Sequence, residues 1–123
     1  MWTYSQTSGA FRGGAGTTVI VSRGYSGNGE GKNNPTLQAK PNVGPIPQGR
    51  WTITAIFDSA AHGPRCLRLA ANPGTVTFGR DGFLIHGDSV ARPGEASQGC
   101  IILPRSVREY VWQSGDRHLE VTP

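Results

Sequence analysis

Glycine and proline cut this chain so often that no long helix fits between them: 18 Gly and 9 Pro are spread over 123 residues. A chain punctuated this way folds as short strands joined by turns. Trp, Tyr, Phe and β-branched residues recur between the breaks, enough apolar side chain to argue against disorder. The fold class expected is therefore mainly β. Alternating or apolar runs predict strands near Trp2 to Gln6, Thr17 to Arg23, Arg50 to Phe57, Cys66 to Leu69, Phe83 to His86, Cys100 to Leu103 and His118 to Val121. One helix is predicted, Pro104 to Gln113, with Pro in its first turn, Val107, Tyr110 and Val111 on one face and Gly115 as a stop. It is expected to pack behind the Cys100 strand. Tyr25 to Pro47, rich in Gly, Asn and Pro, is too long and polar for a tight turn and is expected to be a loop bordering a site, with a linker as its alternative.

The length suits one compact domain over residues 1–123. A net charge of +4 comes from Arg and Lys scattered along the chain. No basic cluster with interleaved aromatics marks a nucleic-acid surface. No apolar run approaches the ~20 residues that span a bilayer, so no membrane insertion is expected. Two cysteines make a disulfide framework implausible, and both are expected to be reduced. Cys66 lies in the alternating run Arg65-Cys-Leu-Arg-Leu69 and is expected to be a buried structural thiol.

The chemistry concentrates in Phe83-Leu-Ile-His-Gly-Asp88 and Glu95-Ala-Ser-Gln-Gly-Cys-Ile-Ile-Leu103. A free thiol titrates near pH ~8.5, so a cysteine nucleophile needs a neighbouring base or dipoles. His86, at the end of an apolar strand, is placed to be that base. Cys100 follows the turn Ser97-Gln-Gly99, and Gly99 leaves room for a substrate carbonyl to reach the amides of Gly99 and Cys100, the expected oxyanion donors. Singly, a histidine on an apolar strand and a free cysteine are more often core residues. Together, framed by glycines and by Asp88, Ser89, Ser97 and Gln98, they point to cysteine acyl transfer. Asp88 is the expected group that orients His86, with Ser89 and Ser97 as the other candidates. His62-Gly63 repeats the His-Gly pair, but between Ala61 and Pro64 it reads as loop and is expected to be a decoy. His118 is expected on a surface strand. A zinc site from His62, Cys66, His86 and Cys100 has no close-spaced ligand pair to support it, and neither metal nor cofactor is expected.

His86-Gly87, a spacer and Ser97-Gln-Gly-Cys100 resemble the His-Gly and Ser-x-Gly-Cys signature of the L,D-transpeptidase catalytic domain. Phe83 to Ser89 with Ala96 to Arg105 looks like the branch that contains type VI secretion L,D-transpeptidase effectors. Gly24-Tyr-Ser-Gly27, Lys32-Asn-Asn-Pro35, Gly44-Pro-Ile-Pro47 and Gly49-Arg-Trp-Thr-Ile53 also resemble that branch. The resemblance implies a β-sandwich or barrel of short strands with one or two short helices. It implies Cys100 as the acylated nucleophile, His86 as base, Gly99 in the oxyanion frame and Ser97 as the motif serine. Gln98 stands where the general pattern often has His, and Ile102 where it often has Asn or Arg. Arg80, Ser89 and Gln98 are the expected substrate contacts, and exposed Arg80, Arg92 or Arg105 would meet substrate carboxylates.

The substrate class implied is the peptidoglycan stem peptide, with L,D-carboxypeptidase, D-amino-acid exchange or cross-linking as outcomes. Met1-Trp-Thr-Tyr4 has no secretory-signal pattern. Together with the resemblance, that gives the expectation of an antibacterial effector made in the cytoplasm, acting in the periplasm of a target cell and matched by a periplasmic immunity protein. A housekeeping or phage-borne wall enzyme and a catalytically silent peptidoglycan-binding module are the alternatives.

Overall fold

A computed structural model describes residues 1–13 and 19–123. Strands β1 (Trp2–Ser5), β2 (Ala10–Gly13), β3 (Val19–Arg23), β4 (Tyr25–Ser26), β5 (Gly49–Ser59), β6 (Gly63–Ala71), β7 (Leu84–His86), β8 (Ile101–Ile102) and β9 (His118–Thr122) share one sheet with α1 (Arg105–Gln113) against it. The mainly β expectation holds. The sheet order is β3-β2-β1-β9-β5-β6-β7-β8-β4. Because β3 runs into β4 through the single residue Gly24, the two outermost strands are joined by the chain, and the sheet curls into a nearly closed barrel. Glycine is required at that corner: its N–H donates to the Gly9 carbonyl at 2.8 Å, and a Cβ there would fall 1.9 Å from the Ile102 carbonyl oxygen.

Seven strands fall where the sequence predicts them. Thr17 and Thr18, the start of the Thr17 to Arg23 prediction, lie outside the described residues. β2 and β4 were not predicted, and Tyr25 to Pro47 carries β4 and two 3-10 turns, Gly29–Gly31 and Pro35–Leu37. Tyr4, Phe11, Trp51, Ile53, Leu67, Ile85, Ile101, Leu119 and Val111 form the buried core. α1 presents Val111 to it and buries Arg108, whereas Tyr110 is largely exposed, edge-on to Trp2. Its main contacts run to β6 and β7, and Arg108 reaches the Leu103 carbonyl at the end of the predicted Cys100 strand.

The parallel pairing of β7 with β8 positions the site. Ile85 pairs with Ile101 and His86 with Ile102. Parallel neighbours cannot be joined by a tight turn, so residues 87–100 must travel back along the barrel before entering β8. That return path carries Gly87, Asp88, Ser89, Gln98 and Gly99 past the end of β7 and delivers Cys100 to a position beside Leu84, two residues before His86.

Candidate functional site

One open cavity of about 740 Å³ takes in both halves of the sequence window: His86 to Ser89 and Gln98 to Cys100 line it, with Pro41 and Asn42 from the Tyr25 to Pro47 segment opposite. That segment borders the cavity, as expected. The volume lies within the range of small-ligand clefts.

Cys100 is partly buried, and the Leu84 N–H points at its Sγ from 3.3 Å. His86 is 2 % exposed; its Nδ1 lies 2.8 Å from the Gly87 carbonyl oxygen. A carbonyl only accepts, so Nδ1 carries the proton and Nε2 presents a lone pair. Among the described residues that buried Nε2 has no hydrogen-bond partner. A buried acceptor left unmatched is costly, and at a reactive site it is what a proton acceptor waiting for its donor looks like.

Two shifts in opposite directions describe the resting state. Burial pushes the Cys100 thiol up, the nearby Cys66 thiol adds to this, and the Leu84 amide and Arg80 charge oppose it without cancelling it. Burial pushes His86 down, with His62 and Arg108 adding to the effect against the Gly87 carbonyl and Asp88. Both disfavour a thiolate–imidazolium pair. Both groups are therefore favoured in their neutral forms, as thiol and imidazole.

Asp88 does not orient His86. Its carboxylate accepts from the Tyr25 hydroxyl at 2.6 Å and from the amides of Ser89 and Gly94 at 2.8 and 3.1 Å. Burial raises this carboxyl, but those donors and Lys32 outweigh it and hold Asp88 below its ordinary range. Its work is to fold the loop that forms one cavity wall. Ser89 serves the same loop, taking the Arg92 N–H on its Oγ at 2.9 Å.

Of the two amides predicted as oxyanion donors, one is already engaged. The Gly99 N–H is spent on Ser97 Oγ at 3.1 Å, leaving the Cys100 amide as the donor without a partner among the described residues. The Ser97 hydroxyl also accepts from Gly27 N–H at 2.9 Å and donates to the Cys100 carbonyl at 2.6 Å, pinning the turn before Cys100. Gly99 has φ +137°, and a Cβ would sit 2.5 Å from the Arg80 guanidinium and 3.0 Å from the Phe83 ring.

Arg80 is not free to bind substrate. Its Nη1 donates to the carbonyls of Gln38 and Pro45, and its Nη2 to those of Gly44 and Gln98 at 2.9 and 3.2 Å. With four carbonyls around it, this buried cation ties the 38–45 segment to the turn before Cys100. Arg105 is taken by Glu109 at 2.9 Å on α1 and does not line the cavity. Arg92 does line it and is exposed, as is Gln98.

His62, expected to be a decoy, lines the cavity, and its ring lies 4.5 Å from that of His86 at an interplanar angle of 30°. Its backbone position is a loop, as predicted, but that loop is the tip of the β5–β6 hairpin folded over the end of β7. Cys66 is buried as expected. β7 separates it from β8, and two strand spacings of ~4.8 Å exceed the Cα separation a disulfide tolerates. Among the described residues, no three His, Cys, Asp or Glu side chains are grouped to hold a metal ion.

Fold and cleft together define a class: a small barrel-like β protein presenting a thiol and an imidazole to one cavity. The Tlde1 domain family matches residues 21–121, and the chain belongs to that family, which comprises type VI secretion L,D-transpeptidase effectors. No curated protein and no solved structure matches the chain.

Proposed function

We propose that this protein is a cysteine acyl-transfer enzyme acting on peptidoglycan stem peptides, delivered as an antibacterial type VI effector. The observation that carries the reading is one cavity lined by both the Cys100 thiol and the His86 imidazole, whose buried Nε2 has no donor among the described residues. Sγ attacks the carbonyl between an L-centre and a terminal D-residue while its proton passes to His86 Nε2. The Cys100 amide supports the oxyanion. As the tetrahedral intermediate collapses, the C–N bond breaks and His86 returns the proton to the departing amine, leaving a thioester on Cys100. Water then gives L,D-carboxypeptidase activity, a free D-amino acid gives exchange, and a second stem peptide gives a cross-link. Arg92 and Gln98 are the substrate contacts this reading favours, because both line the cavity and are exposed. Family membership supports the wall as target and the type VI apparatus as the route. Action in the periplasm of a target cell then calls for an immunity protein that covers the cleft around Cys100 in the producer's kin.

Incubating the protein with purified muropeptides and resolving products by mass spectrometry tests this. Loss of a terminal D-residue, its replacement or a new cross-link is the expected result. Unchanged muropeptides would favour the silent wall-binding alternative.

A further inference from the structure

The hairpin that carries His62 is fixed by contacts that reach into the site. Ser59 Oγ accepts the N–H groups of Ala61 at 3.2 Å and His62 at 3.0 Å, which sets the turn. On its other side, the buried guanidinium of Arg108 donates to the carbonyls of Arg65 at 2.9 Å, Pro64 at 3.1 Å and Leu103. One cation thus ties the base of the hairpin tip to the chain leaving β8. The joint result of the two restraints is to lay the His62 imidazole against that of His86.

His86 needs such a neighbour. Nδ1 has one contact, to the carbonyl of the next residue, and Nε2 has none among the described residues. A single local hydrogen bond does not fix a ring that can rotate about χ2, a broad two-fold torsion. An aromatic ring packed on its face supplies the missing restraint by limiting that rotation.

We propose that His62 is a positioning residue: its ring, on a hairpin held by Ser59 and Arg108, lies tilted against that of His86 and keeps Nδ1–H on the Gly87 carbonyl and Nε2 free to accept a proton. The inference rests on reading Cys100 and His86 as nucleophile and base. The role asks for a flat ring and not for a titrating nitrogen. The charged and titratable groups around His86 are His62 on the hairpin, Arg108 on α1 and Asp88 on the following loop.

The test uses alkylation by iodoacetamide, followed at Cys100 by peptide mass mapping across pH, which needs no wall substrate. His62→Ala should slow Cys100 alkylation about tenfold at neutral pH, the low end of what losing an orienting partner costs at ligand histidines. His62→Phe should restore most of the rate with the same pH profile. In long-range proton–nitrogen spectra, His86 should be a single Nδ1–H tautomer in the native protein and in His62→Phe, and an averaged one in His62→Ala. Circular dichroism establishes that both variants are folded. An unchanged rate and tautomer in His62→Ala overturns the proposal. Equal losses in Phe and Ala variants also overturn it, in favour of proton handling by His62. If His86→Ala leaves alkylation unchanged, the base assignment itself has failed, an outcome separate from both.

Discussion

His86 Nδ1 is held 2.8 Å from the carbonyl oxygen of Gly87, the residue that follows it in the chain. The imidazole is therefore oriented by its own backbone, and among the described residues no carboxylate is hydrogen-bonded to it. A carbonyl fixes the tautomer but places no full negative charge beside an imidazolium, in keeping with a site that rests neutral.

His86→Ala should reduce stem-peptide turnover by at least ~100-fold, because one group takes the thiol proton and returns it to the leaving amine. Asp88→Asn should leave kcat within a few-fold. What it should lose is stability of the 88–96 loop, read by hydrogen exchange at Ser89 and Gly94. Asp88 is held below its ordinary range, so its contribution is full above the unfolded carboxyl value and is lost as pH falls through the folded one. A larger loss of kcat in Asp88→Asn than in His86→Ala would restore the triad.

The opposed shifts at Cys100 and His86 set the pH behaviour. With His86 pushed down, the neutral base persists to lower pH than an ordinary histidine would allow, so the acid limb of kcat/KM should fall below the usual imidazole range. With Cys100 pushed up, the midpoint for thiolate formation, followed by absorbance at 240 nm in a Cys66→Ser background, should lie above that of a free thiol. A thiolate signal already full at neutral pH would contradict the resting neutral pair.

Arg80→Ala should destabilise the protein by at least about 2 kcal/mol, since hydrogen bonds to a charged group are lost and four carbonyls lose their donor. Thermal or urea melts measure this. Turnover should fall with it, because Gln98 is one of those partners and stands two residues before the nucleophile. Gly99→Ala should be damaging for a linked reason. Its Cβ meets a guanidinium already clamped by carbonyls, at a φ that L-residues rarely adopt. Its activity should drop more than tenfold even where it folds.

Directed to the periplasm by an added signal sequence, the protein should cause swelling or lysis, and expression in the cytoplasm should be tolerated. Cell counts and microscopy at matched expression are the measurement. Equal toxicity from Cys100→Ala would remove wall chemistry as the cause.

The strands rich in apolar residues, and the Cys100 and His86 pair, could be read from the sequence because their signals are local and continuous. β2 was missed because Ala10–Gly13 is four residues long with a glycine at its end and another just before it, and β4 because two residues carry no alternation. Arg80 was misjudged on the rule that arginine stays at the surface, and nothing in the sequence singled out Arg108, which is buried too. Each is buried by carbonyls from segments far along the chain, which no local pattern encodes. His62 was set aside for the same reason: the loop was legible, but its fold over β7 depends on Ser59 and on a helix that starts about 40 residues later. The Gly99 amide was lost as an oxyanion donor to Ser97, a side chain two residues away whose rotamer the sequence does not specify.

Acylation of Cys100 is tested most directly by intact-mass spectrometry of the protein mixed with a stem tetrapeptide. The native protein and Cys66→Ala should gain the mass of the donor peptide less that of the released free D-amino acid, mapped to the peptide containing Cys100, and folded Cys100→Ala should gain nothing. Turnover of the tetrapeptide by folded Cys100→Ala, or an adduct mapped to any other side chain, would contradict it.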